Sequence, residues 1–327
     1  MKKQKKILAG LALIIILAAG FTLLLAFNAR KDKAVSSYVP DSTYRFACIY
    51  SGSSDYYKYS LQEGLNKAAE DLDVWVRFHK FKSFEAEKHF EEMDKAIAAK
   101  VDGIITNIPV NDTMHSYIER ACNSSIPVIT IENDLPGSKR ISFIGTNSYA
   151  YGVNAGKLLA RATGGKARTA FFKNSDTGKF NLKNQGFQNT LKDNPGMEAR
   201  MFNVKDPSII EYTNAAQSIF VNYPDIDSFF CSDPESTLGT VRAMIEFNKT
   251  NSVVIGSGDS NEILKYIKNG IIYASLVEDP YSIGYLSVES MLKFKKGESI
   301  SESVNPDVIV ISKENIDAML AEREDKD

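Results

Sequence analysis

The feature that most constrains the fold is an alternation of short apolar runs with segments of helical period, which begins at Arg45 and continues almost to the C-terminus. Runs rich in β-branched or aromatic residues, which predict strands, lie at residues 45–50, 74–78, 103–106 and 127–131. Between them, apolar residues recur three and four positions apart, as Leu61, Leu65, Ala68 and Leu72 do. This rhythm predicts a parallel sheet wound with helices.

The same series starts again after residues 141–144, which predicts a second lobe of similar build. Its strands are predicted at residues 168–172, 199–204, 228–231, 253–256, 272–276 and 308–311. The predicted fold class is α/β, with two doubly wound parallel-sheet lobes. Because ligands of open parallel sheets bind beyond the carboxyl ends of the strands, the polar residues that follow each strand are the candidates for a site.

The N-terminus holds an apolar stretch at residues 7–27, with lysines before it and Arg30, Lys31 and Lys33 after it. A helix of about 20 residues spans roughly 30 Å of hydrocarbon. The bulky Phe27 disrupts the small-x-small exit of a cleavable signal, so we favour an uncleaved anchor, with a cleaved signal as the alternative. We therefore predict a single-pass anchor at residues 1–33, a tether at 34–43 and a folded part on the outer face of the bacterial plasma membrane.

Composition and motif searches exclude several classes of function. The chain has 39 Lys and Arg against 41 Asp and Glu, so it lacks the positive surplus that binds nucleic-acid phosphates. The 3 cysteines and 3 histidines fit no metal-ligand spacing, and Cys48 and Cys231 lie in apolar runs that predict buried thiols. The sequence has neither a nucleophile elbow nor a phosphate-binding glycine loop. We expect no enzymatic activity, no cofactor, no metal and no nucleic-acid partner.

Several segments at the predicted strand ends share a pattern in order and approximate spacing. They are IYSGSSDYY at 49–57, IPVITIEND at 126–134, IGTN at 144–147 with YG at 151–152, QGF at 185–187, CSDPE at 231–235 with LG at 238–239, GSGD at 256–259, and EDP at 278–280 with IG at 283–284. Together they resemble the ribose-binding branch of the type 1 periplasmic binding proteins. The resemblance runs from about Tyr44 to near the C-terminus.

This resemblance implies two lobes that are joined by three crossing segments and close on a small ligand by hinge motion. The crossings are expected near Thr146, Asp279 and Pro306. The N-terminal lobe would then comprise residues 44–145 plus 280–305, and the C-terminal lobe residues 146–279 plus 306–327. The late helix through Ile283 would belong to the N-terminal lobe.

The resemblance also implies which residues bind the ligand. Members of the family pack sugar C–H faces on aromatic rings and bond the hydroxyls to carboxylate, amide or guanidinium groups. By position, the aromatic contacts and the polar ligand groups are Tyr56, Tyr57, Glu132, Asn133, Asn181, Asp233, Asp259 and Glu278.

The sequence departs from the ribose-binding pattern at several of these positions. Asn133 and Asn181 stand where that pattern has arginines, Glu278 where it usually has glutamine, and Gly258 where it has aspartate. We expect Asp259 to supply the last carboxylate, although an aspartate here would also suit the cap of the next helix. The predicted site is more acidic than a ribose site, which leaves another pentose, a hexose, a polyol or an amine-bearing ligand open.

Two functions fit a membrane-anchored protein of this kind. One is a sensor that binds a sugar or polyol and passes its closure to a membrane partner such as a sensor histidine kinase. The other is the substrate-binding subunit of an ABC sugar importer, in contact with the permease. The anchor favours the sensor, because tethered importer subunits usually carry a lipidated cysteine, which residues 7–33 lack. A transcription regulator would need a helix-turn-helix where the apolar stretch lies.

Overall fold

The computed structural model describes residues 44–52, 55–81, 86–107, 113–173 and 178–324, with side chains at all of these but 55, 56 and 322–324. The predicted anchor and tether lie outside these residues. The strands are Arg45–Ser51 (β1), Trp75–Phe81 (β2), Gly103–Asn107 (β3), Val128–Ile131 (β4), Ser142–Ile144 (β5), Lys166–Lys173 (β6), Gly196–Asn203 (β7), Ser228–Phe230 (β8), Val253–Ser257 (β9), Ala274–Val277 (β10), Ser303–Val304 (β11) and Ile309–Ser312 (β12). The helices are Asp55–Leu72 (α1), Ala86–Ala98 (α2), Thr113–Asn123 (α3), Ser148–Thr163 (α4), Gly178–Lys192 (α5), Ile209–Asn222 (α6), Pro234–Glu246 (α7), Asn261–Lys268 (α8), Pro280–Lys295 (α9) and Ile316–Glu324 (α10). Within the described ranges, none of the helices combines the length and the apolar character that crossing a bilayer requires.

The N-terminal lobe is built on a six-stranded parallel sheet in the order β2-β1-β3-β4-β5-β11. Phe46 and Cys48 of β1 point to one face, which α1 and α9 cover. Ala47 and Ile49 point to the other face, which α2 and α3 cover. Because both faces are covered, the central strands are continuous apolar runs, as the sequence shows.

The C-terminal lobe repeats this plan in the order β7-β6-β8-β9-β10-β12, with β12 antiparallel to β10. Helices α4 and α5 cover one face of the sheet, and α6, α7 and α8 cover the other. Cys231 follows β8 as a buried free thiol, and burial raises its pKa to about 12. The structure confirms the predicted fold class of two doubly wound α/β lobes.

The chain passes between the lobes three times, at residues 145–147, 278–279 and 305–308. Asn305 Nδ2 donates to Gly145 O at 2.8 Å, which ties the first and third crossings together. Asn147 and Asp279 end their crossings as N-caps of α4 and α9, where they accept bonds from Ala150 N and Ser282 N. Helix α9, although late in sequence, packs on α1 in the N-terminal lobe.

Glycines allow a pair of helices in each lobe to pack at backbone contact. A Cβ on Gly152 of α4 would lie 1.9 Å from Lys183 O, and one on Gly186 of α5 would lie 2.0 Å from Tyr149 O. Gly64 brings α1 against α9 in the same way. The YG and QGF segments of the sequence pattern therefore serve close helix packing, because a larger residue would push the helices apart.

Candidate functional site

Polar and aromatic side chains meet where the central strands of the N-terminal lobe end. Tyr50 lies near the end of β1, Asn107 ends β3, and Glu132 directly follows β4. Asn107 Nδ2 donates to Glu132 Oε2 at 3.4 Å, and the Tyr50 hydroxyl donates to the same carboxylate. Tyr57 of α1 stacks on Tyr50, with ring centroids 5.4 Å apart. The lobe thus presents a carboxylate beside an aromatic wall.

The backbone holds Glu132 in an unusual conformation. Its φ is 65°, in the left-handed region that residues with a side chain rarely adopt. Such conformations persist where the surrounding structure imposes them, and they cluster at ligand sites. Burial raises the pKa of Glu132, while the nearby charge of Lys179 and the bonds from Tyr50 and Asn107 counteract part of this rise.

Asn107 and a buried histidine connect the ends of β1 and β3. Asn107 Oδ1 accepts from Ser51 N at 3.0 Å and its Nδ2 donates to Ser51 O at 2.7 Å, which extends the ladder between β1 and β3. His89 Nδ1 lies 2.9 Å from Ser51 Oγ, and its Nε2 lies 2.7 Å from Thr106 Oγ1. Burial lowers the pKa of His89 to about 4, so the ring is neutral at pH 7. His89 therefore has a structural role.

The C-terminal lobe contributes two lysines that lie one turn apart on α5. Lys183 is 8% exposed. Its Nζ donates to Ser232 O at 3.3 Å and lies 4.1 Å from the ring centroid of Tyr151. Burial and the positive charge of Lys179 lower the pKa of Lys183 to about 8. The Tyr151 hydroxyl donates to Leu276 O at 2.9 Å, which fixes the ring beneath the ammonium.

Glu278, at the second crossing, joins the two sets of groups. Its Oε1 lies 2.8 Å from Lys179 Nζ. Burial acts to raise the pKa of Glu278, but Lys179 and Lys183 hold it below its ordinary value. Burial acts to lower the pKa of Lys179, but Glu278 and Glu132 hold it above its ordinary value. Since Lys179 interacts with charges from the N-terminal lobe and from the crossing, these groups form one cluster.

Four of the predicted ligand residues lie in or beside this cluster: Tyr57, Glu132, Asp233 and Glu278. The charge of Asp233 acts on Lys183. Asp233 is also the N-cap of α7, because Ser236 N donates to its Oδ1 at 2.7 Å. It therefore combines a structural role with its place at the site.

The other predicted residues are placed differently. Asn133 follows Glu132 and is half-buried, whereas Asn181 is exposed on α5. Asp259 is half-buried after β9, and the helix that follows is capped by Ser260 instead. The alternative role of Asp259 as that cap is therefore wrong, and its ligand role stays a prediction. The side chain of Tyr56 lies outside the described part of the chain.

Sequence reasoning missed four residues of the cluster: Tyr50, Asn107, Lys179 and Lys183. Lys179 and Lys183 are spaced i, i+4, which places both on one helix face, and this spacing was the available signal. Tyr50 and Asn107 resemble ordinary strand residues in sequence. The site is also less acidic than expected, because the sequence-based prediction included the carboxylates but not Lys179 and Lys183, whose positive charges offset them.

The cluster offers hydrogen-bond donors, acceptors and aromatic faces in a buried setting, which suits a small polar ligand with apolar C–H faces. A surface groove of about 730 Å³ lies elsewhere, between α4 and the end of β12, and none of the predicted ligand residues lines it.

Comparison with known proteins places this architecture in a family. The sequence profile of the periplasmic binding protein domain matches residues 46–299. The ribose import binding protein RbsB of Haemophilus influenzae is 24% identical over 260 residues, which cover 77% of this chain and 86% of that protein. GanP, a glucose-galactose binding protein from Geobacillus stearothermophilus, is 27% identical with a TM-score of 0.72, covering 83% of this chain and 98% of that one. A chain of the XylFII-LytSN complex is 24% identical with a TM-score of 0.67, at 83% and 98% coverage. With this match over most of its length, the chain belongs to the periplasmic binding protein domain family.

Proposed function

We propose that this protein is a non-enzymatic binding protein for a sugar or related polyol, which it encloses between its lobes. The observation that supports this most is the single cluster formed by Glu132 from one lobe, Lys179 and Lys183 from the other, and Glu278 from the crossing. A ligand that satisfies groups on both lobes at once stabilises the closed arrangement relative to an open one.

The chemistry of the cluster supports a polyhydroxy ligand. Hydroxyl groups donate to carboxylates such as Glu132 and accept from ammonium groups such as Lys183, while the stacked Tyr50 and Tyr57 rings suit C–H faces. The names of two relatives, a ribose import binding protein and a glucose-galactose binding protein, support the same ligand class.

We further propose that the protein is tethered to the outer face of the plasma membrane and acts as a ligand sensor. Residues 7–27 support the tether through their length and apolar character. A protein of the same fold is found in the XylFII-LytSN complex, which supports assembly with a second protein. The alternative, an ABC importer subunit, is supported by the import function in the name of the RbsB relative.

A ligand screen tests the binding function. We expect the melting temperature of the purified full-length chain to rise with at least one pentose, hexose or polyol, and calorimetry to give one site per chain. Lys183→Met should weaken this binding, whereas Lys192→Met, at the exposed end of α5, should not. Failure of every sugar and polyol to shift the melting temperature would reject the proposal.

Chemical cross-linking in the native membrane distinguishes the sensor from the importer subunit. A sensor should be recovered with a membrane kinase in a ligand-dependent amount. Recovery of importer permease subunits without any kinase would reject the sensor hypothesis and support the alternative.

A further inference from the structure

The two carboxylates of this site, Glu132 and Glu278, create an environment that suits a positive charge. Glu132 accepts a hydrogen bond from the Tyr50 hydroxyl, and burial, followed by the charges of Glu132 and Glu278, raises the pKa of Tyr57. Tyr57 in turn stacks on Tyr50. Carboxylates beside aromatic faces form a favourable environment for an ammonium group.

That position already contains an ammonium group from the chain itself. Lys179 Nζ lies 2.8 Å from Glu278 Oε1, and the two side chains are only 30% and 17% exposed. Lys179 also interacts with the charge of Glu132 in the other lobe. A ligand ammonium that approached either carboxylate would therefore meet Lys179 at short range.

A second lysine strengthens this effect. Lys183 lies one turn further along α5, is buried, and directs its Nζ towards Ser232 O and the Tyr151 ring. Two ammonium groups on one face of a helix repel a third, and the burial of Lys183 strengthens the repulsion because water screens a buried charge less.

We propose that Lys179 is a specificity-determining residue of the binding site: it is a built-in counter-ion for Glu278 and Glu132 that excludes amine-bearing ligands and admits uncharged ones. This inference rests on the proposed function, since it concerns the same site. A residue that repels the wrong ligand determines specificity as effectively as one that attracts the right ligand.

Pairs of sugars that differ in one group test the proposal. Calorimetry at about pH 6.5, where an amine with a pKa of about 8 is protonated, compares D-glucose with D-glucosamine and D-galactose with D-galactosamine. The wild-type chain should prefer the neutral member of a pair. Lys179→Met removes the charge but keeps much of the side-chain volume, and it should shift the ratio of affinities at least about tenfold towards the amino sugar.

Further variants separate a charge effect from a packing effect. Lys179→Gln should shift the affinity ratio in the same direction. The double variant Lys179→Met with Glu278→Gln should lose most of the shift towards the amino sugar, because it lacks the Glu278 carboxylate that would bind the amine. Lys192→Met, on the exposed end of the same helix, should leave the ratio unchanged. Circular dichroism confirms that each variant is folded.

Each outcome has a distinct meaning. Equal affinity of the wild-type chain for both members of a pair overturns the proposal, and so do unchanged ratios in both Lys179→Met and Lys179→Gln. If the affinity ratio is unchanged in these variants but neutral sugars still bind, the proposed binding function stands and the specificity role of Lys179 is rejected. If no sugar binds to any form of the chain, the proposed function itself fails.

Discussion

Replacing Gly186 by alanine tests how tightly α4 and α5 are packed. The added Cβ would lie 2.0 Å from Tyr149 O and 3.0 Å from Val153 N. A carbon–oxygen contact needs about 3.3 Å, so the two helices must separate by about 1 Å to accommodate the methyl group. The atoms in the way belong to the backbone of α4, which a rotamer change cannot move.

The expected effect follows from the cost of overpacking. Forcing one extra methyl group into a packed interface typically costs about 1–3 kcal/mol, which lowers the melting temperature of a lobe of this size by roughly 3–10 °C. Because α4 holds Tyr151 and α5 holds Lys183, separating the helices also lengthens their 4.1 Å contact. We therefore expect weaker ligand binding together with lower stability.

Differential scanning calorimetry of matched variants measures the expected loss of melting temperature. Gly178→Ala is the control, because its Cβ would meet nothing within 4 Å and it lies in the same helix. Gly178 begins the helix and Gly186 lies in its interior, where alanine is the better helix former. Propensity alone would therefore favour Gly186→Ala, so a lower melting temperature for Gly186→Ala than for Gly178→Ala reports the steric effect. Equal melting temperatures for Gly186→Ala and Gly178→Ala would refute the packing argument.

Three further predictions concern single side chains. Asn107→Ala leaves the buried N–H and C=O of Ser51 without their side-chain partner and should reduce the free energy of unfolding by about 2–4 kcal/mol in urea titrations; a loss below about 0.5 kcal/mol would contradict this. His89 has its pKa lowered by burial from 6.5 to about 4, so the unfolded chain binds the proton first as the pH falls. The free energy of unfolding should thus fall by up to about 3 kcal/mol between about pH 6.5 and pH 4, and His89→Gln should flatten this slope; an unchanged slope would argue against it. Asp259→Ala should weaken ligand binding about 10- to 150-fold by calorimetry, whereas Asp193→Ala, an exposed control, should not; unchanged binding would remove Asp259 from the site.

The strands with strong apolar runs were predicted close to their true positions. The strand predicted at 103–106 corresponds to β3, which is one residue longer, and the strand predicted at 253–256 corresponds to β9, which is also one residue longer. β11 was missed, because Ser303–Val304 is two residues long and pairs only with β5. So short a strand has no periodicity of its own, and only its neighbour in the sheet defines it.

Some residues of the site were predicted from the sequence and others were not. Glu132 and Glu278 were predicted from the family resemblance, and each directly follows a strand, β4 of one sheet and β10 of the other. The fold brings both carboxylates near Lys179. On α5, however, the predicted residue Asn181 is exposed, while Lys183, two positions later, is buried in the cluster. A shift of two residues on a helix turns the side chain by about 200°, and sequence position alone does not define which face meets the neighbouring lobe.

The sequence by itself determined the two-lobed α/β architecture, because hydrophobic periodicity and strand-end glycines are local signals that survive in the linear order of residues. Only the tertiary structure decided the electrostatics of the cluster. Lys179 neutralises Glu278 because a helix of one lobe begins beside a crossing almost a hundred residues later in the chain. Charge compensation depends on distances through space, and those distances are established only when the lobes fold.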